Sequence, residues 1–116
     1  MRQLENLQVW KDARVFAGEI YHLFLNNRDF GFKDQIQRAS VSIMNNSAEG
    51  FDSGSDSLFI RYLNIVKGSC SEVKSMLYLC EDLKYCTPQR SSELRQELTQ
   101  IHGQIYNLIK YLDKKN

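Results

Sequence analysis

The feature that most constrains this chain is the near-absence of helix breakers from its long periodic stretches. It has one proline and six glycines, and its punctuation falls at Asn26-Asn27-Arg28-Asp29-Phe30-Gly31, at Gly50-Phe51-Asp52-Ser53-Gly54-Ser55-Asp56 and at Thr87-Pro88. Three breaks predict four helices, over 6–27, 33–50, 56–86 and 90–114. Ser53 or Ser55 is placed to cap the third helix with Asp56 in its first turn, and Pro88 suits the opening of the fourth. The reading is an all-α chain, one bundle domain over 1–116. At this length folding buries roughly 65% of the unfolded surface, enough for a core without disulfides or a structural metal.

The apolar pattern assigns faces. Leu94, Leu98, Ile101, Ile105, Leu108 and Leu112 step by four and three residues along a narrow stripe, the spacing of a bundle seam. Val9, Trp10, Ala13, Phe16, Ala17, Ile20, Tyr21, Leu23 and Phe24 spread over a wider arc of helix one. Helix three carries Leu58, Phe59, Tyr62, Leu63, Ile65, Val66, Ser69, Cys70, Val73, Met76, Leu77, Cys80 and Leu83 on its main arc. Ile60, Tyr78, Leu79 and Tyr85, with Val15 and Leu25 of helix one, are left over as a second apolar surface of the kind that meets another subunit. Helix two is the least apolar, because Phe32, Ile36, Ala39 and Ile43 share its inner face with Ser40, Asn46 and Ser47.

If helices two and three form an antiparallel hairpin, facing residues have numbers that sum to about 110. Arg38 with Glu72 and Glu49 with Arg61 both satisfy this register, with the sign of the charges reversed between the two ends. These four are the candidate structural polar pairs, within the chain or across a subunit boundary. The alternative is that they face water, where an exposed pair contributes about 0–1 kcal/mol.

Fifteen Lys+Arg stand against fourteen Asp+Glu, a formal charge of +1, which disfavours an elongated basic nucleic-acid binder and an acidic tail. Only the last helix is basic, so Arg90, Arg95, Lys110, Lys114 and Lys115 are the candidate nucleic-acid contacts, with weak, salt-sensitive RNA or DNA binding expected from one rim of an assembly. No apolar run reaches the roughly 18 residues of a membrane span, and the expected compartment is the cytoplasm. Cys70, Cys80 and Cys86 form no C-x-x-C pair and read as buried or half-buried thiols rather than a disulfide framework or zinc site. Glu19-Ile20-Tyr21-His22 matches the Glu-x-x-His of di-iron bundles once, but His102 follows Thr99, so the second half of such a site is missing. The reading is a non-enzyme without cofactor, with a small metal-dependent bundle enzyme using Glu19 and His22 as the alternative. No protein partner can be named from these residues.

Three motifs occur in order. Leu7-Gln8-Val9-Trp10-Lys11-Asp12-Ala13 resembles the L-x-V-W-x-x-A opening of the four-helix-bundle proteins encoded within 23S ribosomal RNA intervening sequences. Gln35 to Ile43 followed by Asn46-Ser47-Ala48-Glu49-Gly50 resembles that family's Q-x-R-R-A-x-x-S-I-x-x-N-I-A-E-G signature, and Phe59, Leu63, Gly68-Ser69 and Glu72 match its F-x-x-x-L-x-x-x-x-G-S-x-x-E pattern. Gln37, Met44 and Ser47 depart from the usual arginine, proline and isoleucine. The resemblance implies an antiparallel up-down four-helix bundle that assembles into a ring of five, and is similar to the basic pentameric accessory protein of diversity-generating retroelements.

Overall fold

In the computed structural model, which describes residues 2–114, a short 3-10 turn at Leu4–Asn6 leads into α1 (Gln8–Leu23), α2 (Phe30–Phe51), α3 (Asp56–Asp82) and α4 (Pro88–Lys114). There is no strand among the described residues. Contacts run in opposite directions along every neighbouring pair. Ser42 meets Ser69 while Gly50 meets Phe59 across α2 and α3, and Asp12 meets Gln104 while Glu19 meets Arg90 across α1 and α4. Across α3 and α4, Ser91 near the start of α4 bonds the Leu77 carbonyl while His102 further along lies beside Cys70, and across α1 and α2 Lys33 reaches the Leu25 carbonyl while Arg2, ahead of α1, sits over the Phe51 ring. The result is an antiparallel up-down bundle measuring 46 × 20 × 19 Å.

Local chemistry ends each helix. Asp29 caps α2 by accepting from the Phe32 amide at 3.2 Å, Ser55 caps α3 from the Leu58 amide at 3.2 Å, and Thr87 caps α4 from the Arg90 amide at 3.1 Å. Because the Asp29 cap starts α2 at Phe30, α1 stops at Leu23 rather than running on to residue 27. Phe24, fully buried just past that end, packs its ring on Phe32 and Tyr85. Helix α3 closes at Asp82 rather than residue 86. Lys84 takes a left-handed conformation (φ 62°), its amide donates to the Glu81 carbonyl, and the Tyr85 amide donates to the Cys80 carbonyl at 2.8 Å. This is a Schellman turn with lysine in the usual glycine position.

The core holds the expected α4 stripe of Leu94, Leu98, Ile101, Ile105 and Leu112, with Leu108 partly buried. It also holds Phe16, Ile20, Ile36, Ile43, Leu63, Val66 and Leu77. Four side chains expected inside lie exposed: Tyr21, Leu58, Ile65 and Leu83. Conversely Ile60 and Tyr85, expected to point away, pack against the core. The buried arcs are narrower than the apolar spacing predicts, because each helix of a four-helix bundle buries only the stripe facing its two neighbours.

Candidate functional site

The α2–α3 seam has the register expected of it, but its charges do other work. Arg38 donates to Asp34 at 2.9 Å, one turn back on its own helix and in the open. Glu72 accepts from Gln35 at 3.3 Å. Glu49 and Arg61 are exposed, and among the described residues no ion pair joins them or joins Arg38 to Glu72. Within one chain, then, the two bridging pairs do not form. An i, i+4 partner already sits on the face that Arg38 occupies, and meeting it requires no tertiary contact. A neutral chain takes their place at the centre of the seam: the Asn46 amide donates to Ser42 Oγ at 2.9 Å and to the Ser42 carbonyl at 3.0 Å, and Ser42 Oγ lies 2.9 Å from Ser69 Oγ. Small side chains let these helices approach closely. At Gly50 an added Cβ would fall 2.8 Å from Tyr62 Cβ.

The α1–α4 seam collects carboxylates. Arg90 donates to Glu19 at 2.9 Å and to Glu93 at 3.1 Å, while Gln104 donates to Asp12 at 2.7 Å. Glu97 hydrogen-bonds Glu19. Burial, then the bond to Glu19 and its charge, push the Glu97 carboxyl up to about 7. Burial acts the same way on Glu19, but hydrogen bonds from Glu97 and Arg90, with the Arg90 charge, hold it below the ordinary value. Glu19 is therefore committed to a salt-bridged carboxyl pair rather than to His22, which is exposed. Among the described residues no group of three His, Cys, Asp or Glu side chains could hold a metal ion.

The basic residues of α4 separate into two sets. Arg90 is held by Glu19 and Glu93. Arg95 donates to Glu81 at 3.2 Å, to the Tyr78 hydroxyl at 2.9 Å and to Ser91 Oγ at 3.2 Å, with its guanidinium 4.1 Å from the Tyr78 ring centre. Both arginines serve the fold. Lys110, which sits over the Tyr106 ring, and Lys114 are exposed near the other end of α4. Lys115 lies outside the described residues. Twenty residues of helix put Lys110 about 30 Å from Arg90, so a single basic rim drawing on all five residues is not formed by one copy.

Large apolar side chains do face outward. Val15 and Leu25 of α1 are 62% and 63% exposed, and Tyr78 and Leu79 of α3 are also exposed, as expected. On α3 the exposed Leu58, Ile65 and Leu79 repeat at multiples of seven residues, the spacing that keeps side chains on one line along a helix. The sequence reading missed Glu97 and the Asn46–Ser42–Ser69 chain. The α1–α4 register could have located the first, because Asp12 with Gln104 and Glu19 with Glu97 share the sum 116.

A four-helix bundle with a small-residue polar seam and outward apolar stripes is a class of fold, not a reaction. Comparison with known proteins narrows it. Residues 5–107 match the 23S rRNA-intervening sequence protein family, and the chain belongs to that family. A solved protein of unknown function from the S23 ribosomal protein family of Bacteroides thetaiotaomicron is 27% identical, superposes with a TM-score of 0.82, and the match covers 88% of this chain and 98% of that one. No curated protein matches.

Proposed function

We propose that the protein is a non-enzymatic, homo-oligomeric bundle that acts as a binding or scaffold module in the cytoplasm. The observation that carries this reading is the outward apolar set, Val15 and Leu25 on α1 with Leu58, Ile65 and Leu79 on α3. These side chains lie beyond what one bundle can bury, and burying them between copies would return roughly 25 cal/mol per Å² of apolar surface. The family resemblance supplies a ring of five as the form of the assembly. Light scattering at micromolar concentration tests it: an oligomer supports the reading, and a monomer near 13.6 kDa overturns it. RNA association, prompted by the family, enters as a weak property of the assembly through Lys110, Lys114 and Lys115, because Arg90 and Arg95 are engaged within the fold. The metal-dependent alternative has no observation in its favour, since Glu19 is tied to Arg90.

A further inference from the structure

Every large aliphatic side chain left exposed among the described residues belongs to α1 or α3 and the turns that end them: Val15 and Leu25 on one, Leu58, Ile65, Leu79 and Leu83 on the other. These two helices are not neighbours. Each packs mainly on α2 and α4, which places them at opposite corners of the bundle. On α1 the exposed Lys11, Val15, Gly18, His22 and Leu25 step by four and three residues, so they share one line down the outer surface. An unbroken exposed line with the same stepping runs on α3 from Leu58 to Asp82 through Ile65, Gly68, Glu72 and Leu79. The outer lines of the other two helices are polar, with Asp34, Arg38, Asn45 and Glu49 on α2 and Glu93, Gln96, Gln100 and Asn107 on α4. Charge also separates the two apolar faces. Lys11 and Arg14 are exposed on α1, whereas its two acids are turned into the α4 seam, Asp12 accepting from Gln104 and Glu19 from Arg90. The α3 line holds Glu72 and Asp82 against Arg61. Two α1 faces together would meet basic on basic, while an α1 face against an α3 face brings opposite signs together.

We propose that the subunits join head to tail, the α1 line of one copy docking on the α3 line of a second; this rests on the homo-oligomer reading above and adds which faces mate. In an up-down bundle α1 and α3 run in the same direction, and their exposed lines have the spacing of a coiled-coil seam. The Asp12–Gln104 and Tyr78–Arg95 bonds set the relative levels of the helices. For copies side by side at one level, Leu25 comes within about one turn of Leu79, Val15 within about one turn of Gly68, and Lys11 and Arg14 within about one turn of Glu72. Gly68 leaves room for Val15, because nothing in its own chain lies within 4 Å of an added Cβ. Each docked copy still presents a free α1 face at one end and a free α3 face at the other, so the contact repeats until it closes on itself. The α3 line leans toward α2, where Gln35 donates to Glu72, so the two faces are inclined and the repeat curves toward a ring.

The test compares the full natural chain with two double variants, Val15→Glu with Leu25→Glu and Ile65→Glu with Leu79→Glu, all at exposed positions and checked for helix content by circular dichroism. Sedimentation should give an oligomer for the natural chain, a monomer near 13.6 kDa for each variant alone, and a one-to-one dimer for their mixture, because each variant keeps the face that the other lacks. Cysteine cross-linking reads the same contact without depending on affinity. With Leu25→Cys and Leu79→Cys on one chain, oxidation should give a ladder of covalent species, and either new cysteine alone should give no linked dimer, both read against the natural chain with its buried or half-buried thiols. Linked dimers from a single new cysteine would show a face pairing with itself and overturn the proposal. So would a full-sized oligomer persisting in either double variant, or two monomeric variants that stay apart when mixed. In all of these the natural chain is still an oligomer, so the homo-oligomer reading stands; a natural chain that sediments as a monomer overturns both.

Discussion

The Arg90 guanidinium and the Glu19 carboxylate meet at 2.9 Å across the α1–α4 seam, and the same Glu19 hydrogen-bonds Glu97. Arg90 also holds Glu93, so burial together with the bond to Glu19 and its charge outweighs the Arg90 charge and leaves Glu97 protonated until about pH 7. Between its ordinary 4.5 and that value, the folded chain holds a proton that the unfolded chain has released. Stability from this group therefore falls as pH rises through the window. Glu19, held low, acts in the opposite sense: its contribution is present above its ordinary value and fades on acidification. Denaturant unfolding at pH 5 and pH 8 should show the Glu97 loss, on the order of 1 kcal/mol once solvent screening of this partly exposed pair is allowed for. Glu97→Gln keeps the hydrogen bond without the charge, so it should flatten the profile and be the more stable protein at pH 8. An unchanged slope in that variant would remove Glu97 as the cause.

Gly50 and Gly103 should respond oppositely to alanine. A Cβ at Gly50 would fall 2.8 Å from Tyr62 Cβ and 2.9 Å from the Phe59 ring, atoms fixed in the α2–α3 seam, so Gly50→Ala should cost about 1–3 kcal/mol. Gly103 lies in the interior of α4 with nothing within 4 Å, and Gly103→Ala should gain about 0.5–1 kcal/mol from helix propensity alone. Thermal unfolding of both variants checks the pair, and equal signs would contradict the packing described.

What was legible in the sequence was whatever repeats along one helix. The α4 stripe was, because a leucine or isoleucine every three or four residues needs no partner to be read, and so were a serine cap from Ser53 or Ser55, which falls to Ser55, and the opening at Pro88. The charge pairs were not. Register placed Arg38 near Glu72, but register is silent about Asp34, which competes from one turn away. Arg95 is the same case, since Tyr78, Glu81 and Ser91 converge on it only after α3 and α4 pack. The Glu19–Glu97 pair needs the α1–α4 register, which joins the first and last helices and is set by the whole bundle.

The polar chain at the α2–α3 seam should outweigh the surface ion pair beside it. Ser42 Oγ accepts from Asn46 and pairs with Ser69, so Ser42→Ala takes this partner from the buried Ser69 hydroxyl, leaves Asn46 only the Ser42 carbonyl, and should cost about 1–3 kcal/mol. Asp34 and Arg38 are exposed at i, i+4, and a double-mutant cycle between them should return only about 0.3–0.5 kcal/mol. A cycle between Arg38 and Glu72 in the monomeric unit should return less still. Coupling above about 1 kcal/mol there would mean that the two meet, across a subunit boundary if not within one chain.

Nucleic acid provides the last test, and the geometry of α4 sets its terms. Arg90 and Arg95 each bind at least one carboxylate, so a phosphate would have to displace Glu19, Glu93 or Glu81 to reach them. Among the described residues Lys110 and Lys114 carry no such partner in a salt bridge, and both are exposed at the far end of the helix. Two lysines on one copy bind weakly, but an assembly that repeats them gains avidity without new contacts. Each neutralised phosphate adds about 0.7–0.9 to the slope of log affinity against log salt, so titrating structured and single-stranded RNA at several salt concentrations counts the contacts. Weak binding with a shallow slope is expected. Replacing Lys110, Lys114 and Lys115 by Gln should remove most of it, while Arg95→Gln should leave affinity nearly unchanged and lower stability instead. Tight binding that survives the triple replacement and high salt would place the RNA surface elsewhere, and no binding at low salt would leave the bundle a scaffold for protein alone.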